Sequence, residues 1–344
     1  LNQVNPANST GIIADRMNYL GSRGIPFLFI IDFRMKSHYI QPLRGLDRDI
    51  LFKIGETKNY LSVPIPEDIN PGIQLTCPAD FLRYERAFRS VIEEIRRGNT
   101  YILNLTFPSG ITLKSRLLDM FHTGDSLFKL YYKDQFVSFS PERFVKIDGN
   151  IITTFPMKGT IDAAVPNALE AILQDKKETA EHVMVVDLLR NDLSMVARHV
   201  RVERFRYVDR IPAGNSDLLQ VSSRISGRLD PDWRARIGSI ITTMLPAGSV
   251  TGAPKKKTVE IIGEVEGYER GFYTGIFGVF DGDGLDSAVL IRFIERERDG
   301  LFLFKSGGGI TIDSSMESEY AEMIRKIYVP TGEVTVPNRE GAAQ

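Results

Sequence analysis

The chain is short of the residues that most readily announce a function. One cysteine, Cys77, among 344 residues excludes an internal disulfide and a cysteine-based zinc cage. A reducing compartment follows, and with it the expectation of a cytoplasmic protein. An excess of one charge is also missing: 43 lysines and arginines face 44 aspartates and glutamates, for a net charge of −1. That balance leaves no electrostatic footprint for nucleic acid or for an anionic membrane surface. No apolar run approaches the ~20 residues that span a bilayer, and Leu1-Asn2-Gln3-Val4-Asn5 lacks the basic and apolar segments of a signal peptide. With four histidines and no HExxH or HxxEH spacing, zinc and iron are disfavoured. Internal repeats and Pro/Gly/Ser-rich linkers are absent too. The expectation is therefore one domain over residues 1–330, with 331–344 as a fraying tail.

What is present is the balance of a globular chain with a sizeable core, 42% hydrophobic and 25% charged. A short helix is predicted over 11–20, then a buried strand in Pro26–Phe33 with Ser37–Ile40 as its hairpin partner. Residues 61–80 are proline-rich and read as extended. Apolar positions at 81, 84, 88, 91, 92 and 95 predict an amphipathic helix. From 100 to 162 several strands follow one another almost without helices, which points to an antiparallel sheet in an α+β fold. A long helix is expected from Asn167 to about Ala197, broken near Arg190-Asn191-Asp192. Further helices are expected near 231–243, 254–264 and 316–328, with a hairpin turn at Asp281-Gly282-Asp283-Gly284.

Several stretches could carry chemistry. Phe155-Pro156-Met157-Lys158-Gly159-Thr160-Ile161 sets a lysine between a rigid proline and a glycine that lets another molecule approach. Upstream, Ser140–Thr154 reads as strand, Asp-Gly-Asn turn and strand, which would put Glu142 and Lys158 on opposite arms of one hairpin. Glu178 with Glu181, and Glu319 with Glu322, are spaced three apart on predicted helices, so each pair shares a face. Two such faces would offer oxygen ligands alone, the preference of Mg²⁺. Gly307-Gly308-Gly309 reads as a loop between strand and helix whose backbone N–H groups could cradle an anion. Arg292 is a charge inside the apolar run Ala288–Ile294, which calls for a bidentate acid or a substrate carboxylate. Pro246–Lys255 invites comparison with a phosphate-binding loop, but Gly248 and Gly252 are one residue too close and no GK[ST] follows.

Together, Ser140-Pro141-Glu142-Arg143-Phe144, Pro156-Met157-Lys158-Gly159-Thr160, Glu181–Leu193, Gly248–Lys255 and Gly307–Ile310 with Glu319 and Glu322 resemble, in order, the motifs of the chorismate-utilising enzymes. The resemblance spans about residues 80–328, with a shortened region before it. It implies a large twisted, mostly antiparallel β-sandwich core with helices outside and one active site between its halves, where Mg²⁺ bridges protein carboxylates to the ring carboxylate of chorismate. Carried over by position, Glu181 and Glu322 look like the principal metal ligands, with Glu178 and Glu319 beside them. Arg292, Gly307, Gly308, Gly309, Thr251, Gly252, Thr160 and Lys326 look like substrate contacts.

Lys158 selects among the members. Anthranilate synthases usually carry alanine there, whereas aminodeoxychorismate synthases carry lysine as a covalent nucleophile. The resemblance therefore implies conversion of chorismate and ammonia to 4-amino-4-deoxychorismate on the p-aminobenzoate and folate route, with Lys158 as nucleophile and Glu142 as proton donor. It also implies a glutamine amidotransferase subunit as the source of ammonia. Ile102, Gln220 and Val279 depart from the glutamine or lysine, the histidine and the tyrosine common at those positions. The alternatives are an anthranilate synthase component I and, from another class, a non-catalytic chorismate-binding or regulatory subunit.

Overall fold

The run Phe27–Ile31 is buried throughout, as a strand with neighbours on both sides must be. It pairs antiparallel with His38–Pro42 and with Ile276–Phe280, and so sits inside a nine-stranded sheet. The computed structural model describes residues 6–61, 72–213, 216–297, 300–328 and 330, and the expectation for 331–344 lies outside them. The chain divides into two units, each drawn from three separate stretches, so no linker marks either in the sequence.

The first unit runs to Leu46 and takes in Glu142–Val259 and Glu269–Val289. Its sheet is ordered Met157–Asp162, Ser216–Arg228, Ile151–Thr154, Arg143–Asp148, Leu285–Val289, Ile276–Phe280, Phe27–Ile31, His38–Pro42, with Arg198–Ala213 also paired to Ser216–Arg228. The helix Pro6–Ser22, longer than predicted, lies against the helix Ile237–Met244. Gly238 permits the approach, since a Cβ there would meet the Ala14 carbonyl oxygen at 2.2 Å. Asn18 fastens the crossing, donating to Ser239 Oγ and accepting the Gly238 N–H.

Two expectations are corrected in this unit. The hairpin Arg143–Asp148/Ile151–Thr154 forms, but Lys158 is not on its second arm. Phe155-Pro156 ends that arm, and Met157–Asp162 pairs instead with Ser216–Arg228, Met157 opposite Ser222 and Thr160 opposite Gln220. The long helix is two, Ala168–Gln174 and Lys176–Ser194, divided at Asp175 rather than near Arg190. Asp175 is extended at φ −61°, ψ 113°, and its carboxylate accepts the Glu178 N–H at 2.8 Å, restarting the helix as an N-cap.

The second unit comprises Asp47–Pro141, Glu260–Tyr268 and the chain from Leu290 onward. Its sheet runs Thr57–Lys58, Ile50–Ile54, Phe128–Tyr132, Phe136–Ser140, Phe293–Arg296, Phe302–Ile310, Ile102–Leu113, Ile73–Cys77. Leu117, Met120, Phe121, Val137, Phe139 and Phe304 are among the buried residues of its core. The helix Phe81–Arg96 forms as its spacing predicts, capped by Asp80. A third correction concerns the glycines. Gly307, Gly308 and Gly309 lie inside the strand Phe302–Ile310, paired opposite Thr106, Leu105 and Asn104. They make a ladder rather than an anion-cradling loop. Glycine is required because a Cβ on Gly307 would meet the Leu105 carbonyl oxygen at 2.4 Å. The apolar run around Arg292 also divides, Leu285–Val289 ending before it and Phe293–Arg296 starting after it, so Arg292 is not within a strand.

Candidate active site

Lys158 sits where the pairing of its strand slips. The register shifts between Met157 and Thr160, and Gly159 takes φ +91°, the marks of a bulge that re-aims a side chain. Gln220 holds this irregularity from the neighbouring strand: its Nε2 donates to the Gly159 carbonyl at 2.8 Å, and its Oε1 accepts from Thr160 Oγ1 at 2.8 Å. The re-aimed lysine reaches the helix that Asp175 starts. Its Nζ stands 2.7 Å from Glu181 Oε2 and 3.9 Å from Glu178 Oε2. Glu178 lies in the first turn, where the helix dipole favours a negative side chain, and Glu181 one turn on is 3% exposed. A Cβ on Gly159 would lie 3.5 Å from Glu178 Oε2, so the glycine leaves room for the carboxylate.

His182, fully buried behind this pair, shares a 2.7 Å hydrogen bond with Ser223 Oγ. Burial lowers its pKa, which keeps the imidazole neutral at physiological pH. Glu142, immediately before the strand Arg143–Asp148, accepts a hydrogen bond from Ser249 Oγ. Ser249 belongs to the turn that follows the helix Ile237–Met244, as does Thr251, whose buried hydroxyl donates to the Ala247 carbonyl at 2.7 Å. Gly252 takes φ +130°, open to glycine alone.

The second unit brings together another set. Glu319, 5% exposed, accepts from Ser314 Oγ at 3.0 Å. Glu322 is 2.8 Å from Lys326 Nζ, and that ammonium also donates to the Gly307 carbonyl at 3.1 Å. The bare α-carbon of Gly308 faces this group: a Cβ would lie 3.5 Å from Glu319 Oε2 and 3.8 Å from Lys326 Nζ. Gly309 faces Ile102, whose Cδ1 would be 3.4 Å away, so an aliphatic wall stands here and not a base. Arg292 has φ +50°, a strained value for arginine, and its guanidinium lies over the Tyr328 ring, 4.7 Å from its centroid. Arg292 Nε is buried with no hydrogen-bond partner among the described residues, a donor suited to a carboxylate oxygen.

The sequence-predicted site residues divide between the units, Lys158, Glu142, Glu178, Glu181, Thr160, Thr251 and Gly252 in the first, and Arg292, Gly307, Gly308, Gly309, Glu319, Glu322 and Lys326 in the second. Lys158 meets Glu178 and Glu181, and Lys326 meets Glu322 and Gly307, whereas Glu142 meets Ser249 and Arg292 meets Tyr328. Among the described residues no group of three or more His, Cys, Asp or Glu side chains is placed to hold a metal ion by itself. The acids among these site residues offer oxygen alone, a donor set that fits a hard cation completing its shell with water and substrate. Reasoning from sequence missed Ser249, which has no catalytic signature of its own and shows its importance only through its bond to Glu142.

The profile of the family described as chorismate binding enzyme matches residues 65–332. A Haemophilus influenzae protein named "Uncharacterized PabA-like protein" is 46% identical over 317 residues, 92% of this chain and 95% of its own. The aminodeoxychorismate synthase component 1 of Bacillus subtilis is 33% identical, over 71% of this chain and 54% of its own. Among solved structures, anthranilate synthase component I from Streptococcus pneumoniae superposes with a TM-score of 0.66 at 27% identity, covering 78% of this chain and 63% of that one. No helix among the described residues is long and apolar enough to cross a membrane. With the profile covering most of its length and the site residues of both units on that stretch, the chain belongs to the chorismate binding enzyme family.

Proposed function

We propose that the chain is an aminodeoxychorismate synthase component I, converting chorismate and ammonia to 4-amino-4-deoxychorismate on the route to p-aminobenzoate and folate. The observation that carries this reading is the bulge at Lys158–Gly159, which presents a primary amine 2.7 Å from Glu181 in the unit that also holds Glu142. An amine must be neutral to attack, and Glu181 Oε2 is within reach of its proton. Lys158 Nζ then bonds to C2 of the ring as the C4 hydroxyl leaves as water, the two ring double bonds moving from C1=C2 and C5=C6 to C1=C6 and C4=C5. Glu142 supplies the proton that makes the hydroxyl a leaving group. Ammonia attacks C4, both double bonds move back, and the C2–N bond breaks to release Lys158. Atoms balance: one water out, one ammonia in.

Glu178, Glu181, Glu319 and Glu322 are the carboxylates this reading assigns to Mg²⁺, which when bound would neutralise carboxylate charge on the substrate. In this reading Arg292 binds a carboxylate through its Nε, unpaired among the described residues, and Gly307, Gly308, Gly309, Thr160, Thr251, Gly252 and Lys326 are assigned to the substrate by the family resemblance alone. Cys77, the one cysteine of this sequence, is exposed on a strand, and in this reading the ammonia is supplied by a glutamine amidotransferase subunit. Gln220 supports amination over anthranilate formation: its amide, held to the Gly159 carbonyl and Thr160, cannot exchange a proton as the histidine common at that position can.

The test is mass spectrometry of the chain incubated with chorismate and Mg²⁺ but no ammonia. An adduct of chorismate less one water on Lys158, absent in Lys158→Ala, is expected. Fluorescent anthranilate with pyruvate release on adding ammonium, and no adduct, would overturn the reading.

A further inference from the structure

The turn that carries Ser249 is held far more firmly than a surface turn needs to be. Behind it, Asp192 is 2% exposed near the end of the helix Lys176–Ser194, and Lys255 Nζ reaches its Oδ1 at 2.9 Å. The same ammonium donates to the Met244 carbonyl at 2.7 Å, tying the residues before the turn to those after it. Gly248 presses on the carboxylate, since a Cβ there would meet Asp192 Oδ2 at 2.7 Å. On the other side Arg270, itself buried, donates to the Val250 carbonyl at 2.8 Å, and Thr251 Oγ1 closes the turn on Ala247.

Taking these charges out of water is costly, and the pair returns that cost only through geometry. The geometry fixes one thing that faces outward. Ala247, Gly248, Val250 and Thr251 are all buried, and the half-buried residue among them is Ser249, whose hydroxyl meets Glu142. A carboxylic acid that must deliver its proton to one oxygen needs a fixed rotamer, and a hydroxyl bonded to the group sets that rotamer.

We infer that Ser249 is a positioning residue for Glu142: its hydroxyl binds Oε1 and fixes the rotamer of the carboxyl group, with the Asp192–Lys255 pair and Arg270 keeping the serine in place. This rests on reading Glu142 as the proton donor.

The experiment compares wild type, Ser249→Ala, Ser249→Thr and Asp192→Asn. The first readout needs no turnover: the δ-carbon NMR signal of Glu142 in protein labelled with ¹³C-glutamate, assigned through Glu142→Gln and recorded at one fixed pH. Loss of the hydroxyl in Ser249→Ala should displace this signal, and threonine should restore it. The second is steady-state amination of chorismate with ammonium: Ser249→Ala should lower kcat about 10- to 100-fold with KM changed less than about threefold, as expected when a proton donor is misaimed. Ser249→Thr should recover most of the loss, and Asp192→Asn should lower kcat in the same sense. A folded Ser249→Ala with an unmoved Glu142 signal, or with unchanged kcat, overturns the inference. If wild type forms no amine product, the functional reading falls, and the claim for Ser249 is then decided by the Glu142 signal alone.

Discussion

Replacing Lys255 with methionine asks how much the pair behind the turn matters. Lys255 and Asp192 are 18% and 3% exposed at the side chain, so methionine leaves a carboxylate in the interior with no cation. An orphaned buried charge of this kind costs about 3–5 kcal/mol. In a chain of this size, that lowers the unfolding midpoint by on the order of 10 °C. Burial already holds the Asp192 carboxyl above its usual range, against the opposing pull of Lys255. A carboxyl with a raised folded pKa contributes fully below its unfolded value and loses that contribution as pH rises through the folded value. Removing Lys255 takes away what held the pKa down, so the penalty should be largest near pH 8 and shrink toward about pH 5 as Asp192 takes up a proton. Thermal and urea unfolding of wild type, Lys255→Met and Lys255→Met/Asp192→Asn at both pH values measure this. The double variant should regain most of the lost stability, because no charge is left buried. A single variant that loses less than about 1 kcal/mol near pH 8, or a double variant no more stable than the single, would refute the reasoning.

Two further substitutions probe other parts of the first unit. Asp32 is 6% exposed and burial raises its pKa to about 6, so stability is lost as pH rises through that value; Asp32→Asn should stabilise by up to ~3 kcal/mol near pH 8 and be neutral near pH 4, as denaturant midpoints at the two pH values would show. Gly159→Ala forces a Cβ into φ +91°, a cost of about 1–2 kcal/mol, and sets it against Glu178; amination should fall sharply, whereas Gly149→Ala, at φ +58° with no atom within 4 Å, should cost similar stability and leave amination intact. Equal activity in the two variants would show that the bulge does not aim Lys158.

Much of the site was legible because its groups are spaced by local rules. Glu178 and Glu181, and Glu319 and Glu322, share helix faces at any fold that keeps those helices, and the helix Phe81–Arg96 appears where apolar spacing puts it. The glycine strand was missed because alternation is read from side chains, and three successive glycines have none to read. The helix division was misplaced because Asp175 and Arg190-Asn191-Asp192 are both plausible interruptions, and only the bond from the Glu178 N–H to Asp175 chooses between them.

The amino-acid order by itself determined which chemical groups this protein owns: an amine between proline and glycine, a glutamate ahead of a hairpin, two carboxylate pairs and a lone cysteine. The tertiary structure alone decided which of them meet. Lys158 finds Glu181 because its strand pairs with one some 60 residues later and slips by a bulge, and Glu142 finds Ser249 across more than 100 residues. The physical reason lies in the range of the forces. A helix is closed by bonds between residues four apart, so its faces can be counted along the chain. Strand pairing and buried ion pairs join residues of any separation, chosen by what the whole chain can bury, and no local count reveals them.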